Sequence, residues 1–165
     1  MAKMVNICEK SEEESISGSG TVESSLSFSD VKTYNIQTHG YHNNIKFPLS
    51  TVIQSENELE NYYKVFENEY HKMDEVKQCL GGITNVFFEK NTLLVCSTHA
   101  TSGSHRYRIQ DVNVVNGKVN IKISHTSPQV CTCDMAEWHL ITVIPNGKLK
   151  NVDYKNFNVK IVTNE

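Results

Sequence analysis

The pair Asn116-Gly117 constrains this chain more than any other feature. A two-residue hairpin in a type I′ turn needs positive φ at both central residues, and Asn-Gly is the pair best able to supply it. RYRIQDVNVV and KVNIKISH flank the turn and read as strands, so their pairing can be written outward from it. Val114 then faces Val119, and Val112 faces Ile121. Opposed residues share a face, so four β-branched side chains meet on one side. Unbroken pairing would set Ile123 against Gln110 and turn Ile109 to water. One extra residue at Gln110 or Asp111 restores the phase, with Ile109 against Ile123 and Tyr107 against His125. A β-bulge is expected there.

The hairpin sits in a longer apolar framework. TLLVCS (92–97) precedes it through the loop THATSGSH, and EWHLITVI (137–144) follows it after a Cys-rich loop. Near the end, Phe157, Val159 and Ile161 alternate with Asn158 and Lys160, which predicts a half-buried strand at the margin of a sheet. Upstream, YNIQ and NIKF read as short strands around THGYHNN, with Pro48 restricting the second to an edge or an end. One helix is plain. Ser55-Glu56-Asn57-Glu58 fits a capping box in which Glu58 reaches back to the cap residue. Leu59, Tyr62, Tyr63, Phe66 and Tyr70 then fall on one face, predicting a helix over 55–70. Residues 74–80 add a short second helix stopped by Gly81-Gly82. The expected fold is α+β and mostly β: an antiparallel sheet or sandwich with one amphipathic helix packed on it.

A chain of 165 residues is long enough for one real core and short for two. Residues 31–165 read as a single β-rich domain. Residues 1–30 are rich in Ser and Glu, with six acids against Lys10 alone between 9 and 30, and their composition predicts a disordered tail. No apolar run approaches the roughly 18 residues of a membrane span. MAKMVNICEK has no apolar run of the kind a secretory signal needs, so none is expected there. The net charge is −3 and the only arginines are Arg106 and Arg108, which argues against a nucleic-acid surface. Five cysteines at irregular spacing make no disulfide framework and leave the compartment open.

Four groups of residues could carry chemistry. Cys131, Cys133 and His139 could ligate zinc, but zinc takes four ligands and no second pair is placed, so two thiols in a packed loop is the plainer reading. A cysteine nucleophile with a histidine base needs a motif that is not present. In THATSGSHRYR, the serines, Gly103 and the arginines could hold an anion, although Arg106 and Arg108 alternate with Tyr107 and Ile109 as the wet face of a strand would. Asp134 and Glu137 form a carboxylate pair, read as surface charge or capping by Asp134. The expectation is therefore a non-catalytic domain with no cofactor, docking another protein through its two long loops. Ser102, Gly103, Ser104, His105, Arg106, Trp138 and His139 would form the docking patch, with Trp and Arg as anchors. Trp138 reads equally well as a core residue.

PLSTVIQSENELENYY, VFFEKNTLLVC, TSGSHRYRIQDV and CTCDMAEWHLITV together resemble a bacterial family related to the PrcB C-terminal domain, the protease-complex subunit family. The resemblance covers about 48–144. It implies a β-rich, non-catalytic, exported or envelope-associated domain, one group of which assists a surface protease. A second likeness, to chagasin-type inhibitors of cysteine peptidases, rests on the Ser/Thr-Gly loop and the later Trp. This chain has Ala100-Thr101-Ser102-Gly103 and lacks the Asn-Pro of that family's loop.

Overall fold

A computed structural model describes residues 26–164. Strand β1 (Lys32–His39) leads through a loop to β2 (Leu49–Ile53) and helix α1 (Glu56–Phe66). Short helices α2 (Asp74–Cys79) and α3 (Asn85–Phe88) precede β3 (Asn91–Ala100). The chain continues with β4 (Arg106–Val115), β5 (Lys118–Thr126), β6 (Ala136–Pro145) and β7 (Asp153–Asn164). The fold is α+β and mostly β. No helix among the described residues is long and apolar enough to cross a membrane.

Two sheets form, one of order β1-β6-β3-β2 and one of order β4-β5-β7. They pack face to face, with Leu94, Cys96, Trp138 and Leu140 of the larger sheet against Ile109, Val112, Val119, Ile121 and Ile123 of the smaller. The other face of the larger sheet carries Leu93, Val95, Ile141 and Val143 under Leu59, Tyr62, Tyr63 and Phe66 of α1. Strands β3 and β6 are thus covered on both sides. That is why their sequences run almost continuously apolar where β4 and β5 alternate. Antiparallel pairing holds throughout except between β5 and β7, which run parallel, a direction the strand pattern alone does not encode.

The hairpin has the expected register. Asn116 and Gly117 both have positive φ, at 52° and 73°. Val114 lies opposite Val119, Val112 opposite Ile121, Ile109 opposite Ile123 and Tyr107 opposite His125, with the register shift between Ile109 and Asp111. Strand β7 is an edge, as its half-buried alternation implied.

Four local expectations need correction. Helix α1 ends at Phe66, and Tyr70 is 92% exposed rather than part of the buried stripe. The Asn68 side chain accepts from the amides of Tyr70 and His71 at 2.8 and 3.0 Å, drawing that backbone into a local turn instead of a further helical turn. Ser55 does cap the helix through Glu58 N, but Glu58 Oε2 reaches Gln54 N, one residue before the cap. NIKF is not a strand; the strand begins after Pro48 as an edge of its sheet. At the other boundary, Leu26 is already buried in the inter-sheet core and Asp30 pairs with Lys148 at 3.1 Å, so the packed chain starts before Val31. The tail expected at 1–30 otherwise lies outside the described residues.

Candidate functional site

In the larger sheet, His39 of β1 and Ala100 of β3 both sit opposite Ala136 of β6. The loops after β1 and β3 and the loop into β6 therefore open at one end of the domain. There 101–105 and 127–135 are laced together. Gly103 N donates to Asp134 O at 3.0 Å and to Asp134 Oδ1 at 3.2 Å. The hydroxyls of Ser102 and Ser104 lie 2.9 and 3.0 Å from Thr132 Oγ1, and Thr132 N donates to Ser104 Oγ. A side chain at residue 103 would place its Cβ 2.9 Å from Asp134 Cγ, so only glycine allows this approach. Hydrogen bonding from Thr132 and from the Gly103 amide, with the charge of His39, holds the Asp134 carboxyl below the usual range. Asp134 is thus a clasp between loops.

Arg106 Nη1 donates to the carbonyls of Gly103 and His105 at 2.6 and 2.8 Å, bracing the same turn. Next to it His105, His125 and Tyr107 stack, with successive ring centroids 5.0 and 4.4 Å apart. His105 Nδ1 lies 2.9 Å from His125 Nε2, and His125 Nδ1 lies 3.1 Å from Thr163 Oγ1. Burial, and then the neighbouring His105, lower the His125 pKa. Cys131 Sγ is 3.7 Å from His105 Nε2 and donates to Pro128 O at 3.4 Å.

The remaining two patch residues lie inside. Trp138 points between the sheets, its ring centroid 5.9 Å from that of Tyr107, and belongs to the core. His139 is fully buried on the opposite face, under α1. Ser102 to Arg106 lie together at the loop end, but Ser102 is itself buried and, like Trp138 and His139, contributes no surface. Consecutive residues of a strand covered on both sides cannot reach the outside. For the same reason His139 does not join Cys131 and Cys133, which are exposed in the loop. Among the described residues no three His, Cys, Asp or Glu side chains are placed to hold a metal.

Glu137 is not a surface charge. It is fully buried beside the loop end, with His42 Nδ1 2.7 Å from its Oε1. His42 in turn meets Asn68, and His71 lies alongside Gly40 with Glu137. Tyr62 OH, 2.5 Å from His139 Nδ1 and 2.6 Å from Ser97 Oγ, extends this buried polar group. Thr38 Oγ1 lies 3.3 Å from His139 Nε2. Burial raises the Tyr62 pKa, and burial followed by the charges of His71 and His42 pushes His139 down to about 3. Tyr62 keeps its proton and donates, while neutral His139 accepts at Nδ1 and donates from Nε2. A directed chain from Ser97 through Tyr62, His139 and Thr38 to the Glu137 carbonyl satisfies every member. The sequence carried one sign of it: Glu137 and His139 share the parity of Ile141 and Val143, hence the face of β6 that meets α1. His42, His71 and Ser97 gave none.

Comparison with protein-family models, with curated proteins and with solved structures finds no match for this chain.

Proposed function

We propose that this domain is a protein-binding module that docks its partner with the end formed by 40–47, 67–73, 101–105 and 127–135. One observation carries the reading. The polar groups of the two laced loops bond to one another, while Tyr41, Tyr70, Val130 and Met135 at the same end stay 54, 92, 85 and 38% exposed. Tyr, Met and Arg are enriched at protein interfaces. A loop already fixed by its own hydrogen bonds loses little conformational freedom on binding, so more of the contact energy appears as affinity. Below the loops, Glu137 and His139 are held in one geometry by side-chain partners, which keeps the sheet end rigid. The reading needs no cofactor. The resemblance to PrcB-type domains makes a surface protease the first partner to test.

Replacing Val130 and Met135 together by Asp tests it. The double variant should lose co-purification of the partner from native cells while its melting temperature stays that of the parent. Val115→Asp, at the opposite end of the hairpin, should retain the partner. Equal loss from both changes, or from neither, would refute the assignment of this end.

A further inference from the structure

The same loop holds two exposed thiols, and their setting differs from that of isolated surface cysteines. Thr132 is exposed yet fixed by Ser102 and Ser104 through its hydroxyl and its amide. Its neighbours on either side, Cys131 and Cys133, are both exposed. Among the described residues only Cys131 has a base at hand, His105 Nε2 at 3.7 Å, with Ser127 Oγ also near that nitrogen. His105 is itself oriented, since its Nδ1 and ring face engage His125, which is tied to Thr163. When His125 donates from Nδ1 to Thr163, its Nε2 accepts from His105 Nδ1, and His105 Nε2 is left as an acceptor that the Cys131 thiol reaches by turning its single proton away from the Pro128 carbonyl.

From this geometry we infer that Cys131 and Cys133 form a dithiol site for thiol–disulfide exchange with disulfide substrates, with Cys131 the attacking thiol and His105 its base. The activity goes beyond docking and does not depend on it. Cys131 gives its proton to His105 Nε2, and its sulfur attacks one sulfur of the substrate disulfide. The substrate S–S bond breaks, a Cys131–substrate mixed disulfide forms, and the departing thiolate takes the proton. Cys133 then attacks Cys131 Sγ, losing its proton to the second departing thiolate. The products are a Cys131–Cys133 disulfide and two substrate thiols, so two electrons pass from the protein to the substrate. Sequence alone misses this pairing because His105 and Cys131 are brought together only by the meeting of two loops.

The test uses the full chain and glutathione disulfide as probe. Trypsin releases both thiols in one peptide, 123–148, which contains no other cysteine. After incubation, that peptide should be lighter by two hydrogens and carry no lasting glutathione. Cys133→Ser should trap one glutathione on Cys131, and Cys131→Ser should capture it on Cys133 about tenfold more slowly. His105→Gln should slow capture at Cys131 about tenfold and leave capture at Cys133 unchanged, a selectivity that a general loosening of the loop would not give. Glutathione remaining on both thiols of the parent chain would overturn the inference. So would equal capture rates in the two Ser variants together with no effect of His105→Gln. The parent-chain measurement needs no substitution, and melting of each variant shows whether it is folded. Because no partner protein is present, failure here leaves the docking reading standing.

Discussion

Acidification should find His139 first. The imidazole is fully buried, accepts from Tyr62 and donates to Thr38, and its pKa is pushed down to about 3 from an ordinary 6.5. As pH falls, the unfolded chain takes up this proton well before the folded one does. Stability is therefore complete above about pH 6.5 and declines steadily toward pH 3. Each unit is worth about 1.4 kcal/mol, and between about pH 7 and about pH 5 the loss integrates to about 2 kcal/mol. That figure is set by the unfolded-state pKa, because the folded protein binds almost no proton in the window. The comparison is with His139→Phe, whose ring suits the space beside Phe66 and Tyr62, with ring centroids now 4.7 and 5.8 Å away. The variant gives up two hydrogen bonds, a cost of about 1–3 kcal/mol. It has no proton to gain at this position. Urea unfolding of both proteins at the two pH values isolates the term, since every other titrating group is shared. The parent should lose about 2 kcal/mol more than the variant on acidification. An equal loss in both would show that His139 takes its proton as readily folded as unfolded, and the directed chain through Tyr62 would be wrong.

Removing His42 strips Glu137 Oε1 of its imidazole in a dry interior, so His42→Ala should cost about 3 kcal/mol in denaturant unfolding. A cost below about 1 kcal/mol would mean that water reaches the carboxylate. Gly103→Ala forces Asp134 out of its clasp; the amides of Ser104 and Thr132 should exchange hydrogen about tenfold faster, with those of β3 unchanged. Deleting Gln110 removes the bulge residue yet leaves Ile109 against Ile123 in a regular ladder, so the hairpin should survive. Deleting Asn113 instead reverses the facing of Val112 and should cost at least about 2 kcal/mol. Thermal melts of the two deletions, if equal, would contradict the register.

The sequence revealed most where a residue's neighbours along the chain decide its state. Asn116-Gly117 and the parity of Val112, Val114, Val119 and Ile121 determine the hairpin down to its bulge, because a phase change in a two-residue period has only one repair. Ser55 and the stripe from Leu59 to Phe66 set α1 for a similar local reason. Tyr70 misled because its spacing fits the stripe, whereas the side chain of Asn68 captures the following amides. Trp138, equally readable as core or anchor, is core because β6 is sandwiched between α1 and the second sheet. That same placement turns Glu137 from an apparent surface acid into a buried one. The loops were expected to meet and do meet. Their lacing depends on contacts between residues about thirty positions apart, such as Gly103 with Asp134 and His105 with Cys131, which no local pattern encodes.

The claim that the laced-loop end is the working surface is tested most directly by placing a photo-crosslinking amino acid at single positions of the full chain in its native cells. Val130 and Tyr70 report on that end, Val115 on the far end of the hairpin and Val65 on the outer face of α1. Irradiation should give one and the same protein adduct from Val130 and Tyr70, and none of it from Val115 or Val65. The same adduct from Val115 or Val65, with none from Val130, would contradict the account.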